Sequence, residues 1–220
     1  MQTLKHLIIL GPPGSGKGTQ ARMIEEEFGF FFFGTGDLLR QEAESGSEIG
    51  QKFQAVWDRG KGELISNDLV DDFVVKKVKE IGLSKGIMFD GYPRTIRQAE
   101  NLEKILKVIP ENLIVLNIEV SAGLLIERME TRRVCSKCDK VFFRPEENGI
   151  KECNECGGKL IQRQEDSSGV ISKRIEVYEQ QTKPLVEFYK THGTLVNING
   201  NPSIDEVSKE ISEKLKEILK

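Results

Sequence analysis

Basic charge is in short supply in this sequence. Its 220 residues hold 32 Lys and Arg against 35 Asp and Glu, a net charge of −3. A broad nucleic-acid footprint is normally basic, so that class of partner is disfavoured. Long apolar runs are also missing. No stretch approaches the ~20 residues needed to cross a bilayer, and the opening MQTLKHLIIL is too short for a signal peptide and runs straight into a glycine loop. A cytoplasmic location is the expectation. Histidine is limited to His6 and His192, which have no matching partners, so no histidine chemistry is assigned. The single tryptophan, Trp57, follows Phe53 and Val56 at helical spacing and reads as core. No internal repeat or low-complexity segment appears, which excludes repeat architectures. Cysteine is confined to four positions. In a reducing compartment such pairs are more readily metal ligands than disulfides.

What is present is a soluble globular composition, 38% hydrophobic and 30% charged. The charged share leans toward a thermophilic source. The length suits one good core with small inserts. Short apolar runs, Leu7 to Leu10, Ile87 to Phe89, LIVLNI from Leu113 and LVNI from Leu195, read as buried strands. Amphipathic stretches from Gly18 to Phe28, Asn67 to Glu80 and Ile96 to Lys107 read as helices between them. The alternation predicts an α/β fold with a largely parallel sheet. A closing helix carries Ile204, Val207, Ile211, Leu215 and Ile218 on one face, with a capping box from Ser203 and Glu206. Two regions break the pattern and read as inserts: about 34–65, helical and polar, and about 131–166, which has little helical periodicity.

The segment LIILGPPGSGKGT is a strand, a glycine-rich turn and a helix, the arrangement of a phosphate cradle. Backbone N–H groups of Gly14, Ser15, Gly16, Lys17, Gly18 and Thr19 can point inward at the positive end of the following helix. Gly16 removes a side chain that would block close approach, and Lys17 reaches the bridging and terminal phosphates. A general phosphate loop has Ser or Thr after its lysine to hold magnesium. Here that position is Gly18, and the hydroxyl arrives one residue later at Thr19. Magnesium would then be held mainly by phosphates and waters, with Asp90, at the end of the IMF strand, as a second candidate; its ordinary reading is a turn or helix-cap aspartate.

Arginines recur at element ends and beside glycines: Arg40, Arg94, Arg128, Arg132, Arg163 and Arg174. Any one alone is most simply a solvated surface charge. Together they flank both inserts and the phosphate loop. Phosphoryl transfer spreads negative charge over equatorial oxygens, which guanidinium forks bind in bidentate fashion. The sequence has no kinase-type general base. A phosphate acceptor needs none, because its second pKa of about 6 leaves it ionised.

The four cysteines, Cys135, Cys138, Cys153 and Cys156, form a C-x2-C-x14-C-x2-C pattern with zinc-knuckle spacing. Four thiolates would close the coordination shell and make the zinc structural. Disulfides or free thiols are the alternatives. Gly157 and Gly158 suit a tight turn in the second knuckle.

Together GPPGSGKGTQA, GTGDLLR, FDGYPRT, RRVC and the closing NING, in this order over essentially the whole chain, resemble adenylate kinases of the long-lid, cysteine-bearing form. The resemblance implies a nucleoside-monophosphate kinase fold: a five-stranded parallel sheet with flanking helices, an AMP-binding insert and a lid. In that scheme the core is 1–33, 66–130 and 167–220, the AMP insert 34–65 and the zinc lid 131–166. It implies reversible Mg2+-dependent phosphoryl transfer from ATP to AMP giving two ADP, a structural Zn2+, and a monomer with no nucleic-acid or membrane partner. Gly14 to Thr19 would hold the ATP phosphates. Arg128, Val141, Phe142 and backbone near Pro202 would lie at the ATP base. Thr35, Arg40, Glu63, Leu64, Ile65, Gly91, Tyr92, Pro93, Arg94 and Gln98 would form the AMP site. Lys17, Arg94, Arg132, Arg163 and Arg174 would surround the transferring phosphoryl group, with Arg163 and Arg174 also reaching AMP, and Asp90 would meet magnesium through water. Two alternatives stand beside this: a related kinase with another donor or acceptor, such as GTP with AMP or a pyrimidine monophosphate, and a zinc-ribbon nucleic-acid-dependent ATPase. The sequence departs from the family at Glu165, where aspartate is usual, in the aromatic run FGFFFFGTG, and in the stretch RGKGELISND around Glu63 to Ile65, which is one residue longer than is common.

Overall fold

The computed structural model describes residues 4–57, 65–107, 112–138, 140–166 and 168–220. Glu63, Leu64 and the side chain of Trp57, all named above, lie outside the described residues. The chain begins with β1 (His6–Leu10), α1 (Lys17–Phe28), β2 (Phe31–Gly34), α2 (Thr35–Glu44), α3 (Glu48–Trp57) and α4 (Asn67–Ile81). It continues through β3 (Ile87–Asp90), α5 (Ile96–Leu106), β4 (Leu113–Glu119) and α6 (Ala122–Thr131). Three short strands follow, β5 (Arg132–Cys135), β6 (Val141–Phe143) and β7 (Leu160–Ile161). The last elements are α7 (Ser168–Val177), α8 (Pro184–Thr191), β8 (Leu195–Asn199) and α9 (Ile204–Ile218).

Strands buried on both faces read as unbroken apolar runs rather than alternating ones. All five residues of β1 are buried, as are the first six of β4. They lie within a five-stranded sheet of order β2-β3-β1-β4-β8 whose neighbours are all parallel. Successive side chains leave a strand on opposite faces. Ile8, Leu10, Phe89 and Val115 therefore meet Val74 of α4, Leu102 of α5 and Tyr189 of α8. Leu7, Ile9, Met88 and Leu116 meet Ala21 and Ile24 of α1 and Ile211 and Leu215 of α9. The capping box of α9 forms as expected, with Ser203 accepting the Glu206 N–H and Glu206 accepting the Ser203 N–H. Ile204 does not join the apolar face of that helix: in the first turn it stays exposed.

His6, partnerless in the sequence, has a structural role. It is buried, and its Nδ1 accepts the Ile87 N–H at 3.2 Å, tying β1 to the start of β3. Burial lowers its pKa, so the folded state prefers the neutral ring. The unfolded chain takes up a proton near pH 6.5, so stability should fall as pH drops through that value, by at most about 1.4 kcal/mol per pH unit. Urea unfolding at about pH 7.5 and about pH 5.5 should show this loss, and His6→Gln should shrink it.

The first insert has a small apolar core that is completed by α4. Leu39 and Ala43 of α2 and Phe53 of α3 pack on Phe73 of α4, with the two phenylalanine rings edge-on at 5.4 Å. The second insert is a three-stranded antiparallel sheet of order β6-β5-β7. Its small core is Cys135, Phe142 and Cys153, with Ile150 and Leu160 against it. No helix among the described residues is long and apolar enough to cross a membrane.

Candidate active site

In an open parallel sheet the binding crevice forms where successive connections leave a strand pair in opposite directions. Here β1 sends the chain past β3 to β2, whereas β3 sends it to β4 on the other side of β1. The crevice therefore opens beyond the carboxyl ends of β1 and β3, where Ile9 stands in register with Asp90. A cleft of about 720 Å³ occupies that place, and Lys140, Val141 and Phe143 of the second insert line part of it.

The phosphate loop lines the cleft through Gly14, Gly16, Lys17, Gly18 and Thr19. Gly16 has φ +91°, a left-handed conformation that favours glycine, while a Cβ there would meet no atom. Its requirement is thus backbone shape as well as room for a ligand. The Lys17 ammonium folds back onto the loop, donating to the carbonyls of Gly11 at 2.8 Å and Pro12 at 2.9 Å. Burial lowers its pKa to about 8; Asp90 opposes the shift, and Arg174, Arg94 and Arg132 add to it. Burial raises the Asp90 carboxyl, and Lys17 partly restores it. A Cβ at Gly18 would stand 3.4 Å from Asp90 Oδ2, so this glycine and this carboxylate share one corner of the cleft. Ser15 Oγ and Thr35 Oγ1 are buried without a hydrogen-bond partner.

Arg40, Arg94, Arg132, Arg163 and Arg174 all line the same cleft. Arg132 grips Asp166 with Nε at 2.7 Å and Nη2 at 2.6 Å, and Arg174 Nη1 donates to the same carboxylate at 3.0 Å. Asp166 is fully buried. It joins the strand that enters the second insert to the turn that leaves it, Gln164–Asp166. Arg174 also donates to the Glu165 carbonyl at 3.3 Å, and Arg163 pairs with the Glu165 carboxylate at 3.8 Å. Arg40 pairs with Asp37, which also faces Arg22 at 3.7 Å. Arg94 Nε donates to the Gly91 carbonyl at 2.9 Å. Burial lowers the pKa of Arg94, Arg163 and Arg174, and the Arg132 charge adds to the effect on the last two. Cations gathered this closely are stabilised by an anion with several oxygens.

Other predicted residues sit differently. Gly91, Pro93 and Val141 line the cleft. The Tyr92 ring is buried in the core and its hydroxyl bonds Asp71, so only its backbone remains for a ligand. Gln98 is buried, accepting the Arg94 N–H at 2.8 Å and donating to Asn67 at 3.3 Å. One amide N–H and one carbonyl lone pair are left over. Ile65 packs with Leu39 and Phe53. Arg128 and Pro202 meet each other, the guanidinium donating to the Pro202 carbonyl at 3.4 Å. Phe142 points into the core of the second insert, and Phe143 lines the cleft beside Val141, because alternate residues of β6 face opposite ways.

Sequence reasoning missed Phe143, Asp37 and Asp166. No sequence signal marked Phe143, because its strand, Val141–Phe143, is only three residues long. Asp37 stands inside the quoted GTGDLLR and Asp166 three residues after Arg163, but neither position announces its arginine partner. Tyr178 and Thr182 reach the cleft from a π-helical turn, Tyr178–Thr182, which has no simple sequence signature.

The four cysteine sulfurs lie within 4.8 Å of one another, with pairs at 3.3 Å (Cys135–Cys156), 3.4 Å (Cys138–Cys156) and 3.6 Å (Cys138–Cys153). A disulfide needs about 2.05 Å. Tetrahedral Zn–S bonds of about 2.3 Å place sulfurs about 3.8 Å apart, so the group fits one metal ion. Burial disfavours a thiolate at Cys135, yet the backbone N–H groups of Lys137 and Cys138 and the neighbouring thiols outweigh it and bring it to about 6. A Cβ on Gly158 would lie 2.4 Å from Cys135 Sγ, so glycine is required for the second knuckle to close on the first.

The family model described as adenylate kinase matches residues 9–194. An adenylate kinase of Caldicellulosiruptor saccharolyticus is 41% identical over 214 residues, covering 95% of this chain and 98% of its own. One of Methanothrix thermoacetophila is 40% identical over 214 residues, covering 96% and 98%. One of Archaeoglobus fulgidus is 37% identical over 217 residues, covering 97% and 99%. The chain belongs to the adenylate kinase family. It is accordingly a phosphotransferase that binds nucleotides. Family membership accounts for a cleft walled by cations, where a hydrolase would instead need a group that activates water.

Proposed function

We propose that this adenylate kinase moves the terminal phosphoryl group of ATP reversibly to the phosphate of AMP, giving two ADP, as a cytoplasmic monomer. The observation that carries this reading is the convergence of Lys17, Arg94, Arg132, Arg163 and Arg174 on one cleft at the mouth of the phosphate loop. The phosphate-loop N–H groups hold the donor phosphates at the start of α1. Arg40 and Arg94 hold the acceptor phosphate opposite. An oxygen of AMP, already ionised, attacks the terminal phosphorus, and the bond to the bridging oxygen of the departing ADP breaks. Lys17 leaves its two carbonyl partners for phosphate oxygens, and Arg132, Arg163 and Arg174 stabilise charge that builds on the transferring group. The second insert, acting as a lid, keeps water from competing as acceptor.

Asp90, beside Gly18, would orient waters around magnesium, which when bound supplies charge neutralisation along the phosphate chain. The four cysteines would hold zinc with no open position, so its part is to fix the lid's shape.

A nucleotide panel in a coupled ADP-production assay tests the substrates. ATP with AMP should give the highest kcat/KM; a preference for CMP, UMP or a GTP donor would replace this reading with a related kinase. Nucleic-acid-stimulated phosphate release would point to an ATPase instead. Lys17 supplies a pH signature. In the free enzyme it loses its proton near pH 8, so kcat/KM for ATP should decline above about 8. Bound phosphate favours the ammonium, so the alkaline limb of kcat should lie at higher pH. Coincident limbs would remove Lys17 from the donor phosphates.

A further inference from the structure

The loop that carries Arg94 is held from beneath by a single buried carboxylate. Asp71, on α4, has little exposure and accepts three hydrogen bonds. Tyr92 Oη donates to its Oδ1 at 3.1 Å; Arg97 Nη2 and Asn101 Nδ2 donate to its Oδ2 at 3.2 Å and 3.4 Å. All three donors come from one stretch of ten residues, 92–101, and Arg94 is in it. Two further bonds join the same elements: Arg97 to Asp68 at 2.6 Å and Gln98 to Asn67 at 3.3 Å. The arms differ in weight. Arg97 is more than half exposed, so its ion pairs are screened, whereas the Tyr92 hydroxyl meets Asp71 wholly inside the protein. An unpaired buried carboxylate or hydroxyl is costly, so this contact has one favoured geometry.

The position of α4 gives the contact its consequence. This helix follows the first insert directly and holds that insert's core through Phe73. Asp71 therefore joins the helix that supports the insert to the loop that presents Gly91, Pro93 and Arg94 to the cleft. We propose that Asp71 is a positioning residue for the acceptor nucleotide. Through Tyr92 it sets the spacing between the first insert and Arg94, and so the fit of the acceptor phosphate between Arg40 and Arg94. The proposal rests on the AMP reading above.

The test is steady-state kinetics on the full chain with Tyr92→Phe, Asp71→Leu and Asp71→Asn, varying each nucleotide in turn. Tyr92→Phe should raise KM for AMP about threefold and Asp71→Leu about tenfold, with KM for ATP staying within about twofold. Asp71→Asn keeps an acceptor oxygen for Tyr92 and should return KM for AMP close to the wild-type value. A merely structural contact would lower the unfolding temperature and leave both KM values in place. That result, or parallel rises in both KM values, overturns the proposal. Should Asp71→Leu fail to fold, Tyr92→Phe breaks the same bond from the other side and decides alone. Saturation of the wild-type enzyme with AMP tests the acceptor reading separately. If another monophosphate is preferred, the same split is read with that acceptor.

Discussion

Arg132→Lys should lower kcat about a thousandfold, with much smaller changes in either KM, in the coupled ADP-production assay. Arg132 uses two nitrogens at once, Nε and Nη2, against the two oxygens of Asp166. Lysine keeps the charge but cannot reproduce that fork, and it would present a phosphate with a mobile point charge. The pairing also fixes where the arginine sits before any nucleotide arrives. Its side chain is 13% exposed and Asp166 is fully buried, so the guanidinium is already desolvated and oriented. Asp166→Asn provides the contrast. It leaves Arg132 and Arg174 in place but removes their shared counter-charge, which should cost about 3 kcal/mol of stability. Urea unfolding measures that loss. A lysine variant within tenfold of wild type would place Arg132 outside the reacting phosphates.

If the four cysteines hold an ion as proposed, its removal should strike stability harder than chemistry. Cys153→Ser, or exhaustive chelation, should lower the calorimetric unfolding temperature by about 10 °C, since each kcal/mol is worth about 2–4 °C in a chain of this size. The kcat of molecules that remain folded should change by less than about threefold. The lid's own core is three buried residues, two of them cysteines, with Ile150 and Leu160 alongside. So small a core cannot hold a three-stranded sheet, and metal ligation can supply several kcal/mol in its place. Metal content measured on the same sample should come to one ion for the four thiolates. An unchanged unfolding temperature after complete metal loss would reject the structural role.

The sheet was legible in the sequence because parallel strands buried on both faces leave continuous apolar runs, as in HLIIL and LIVLNI. The phosphate loop was legible because its glycines and lysine are adjacent in the chain. The partnerships of Asp166 and Asp71 were not. Each bonds donors 8 to 34 residues away, and nothing local distinguishes either from a surface aspartate. Phe142 shows a smaller failure of the same kind. The strand Val141–Phe143 is only three residues long, too short for alternation to declare which face is inward. Gln98 was legible as a residue but not in its state, since its amide is already engaged by Arg94 and Asn67.

The way the chain passes through the lid bears on its ancestry. It enters and leaves side by side: Val134 pairs with Ile161, Cys135 with Leu160, and Arg132 holds Asp166 just outside them. All four cysteines lie beyond Arg132, on the lid side of this neck. A segment hung from one such point can be lengthened, trimmed or exchanged over generations without rethreading the parallel sheet. The four cysteines all belong to that cassette, so exchanging it would add or remove the metal site without touching the phosphate loop on the far side of the neck.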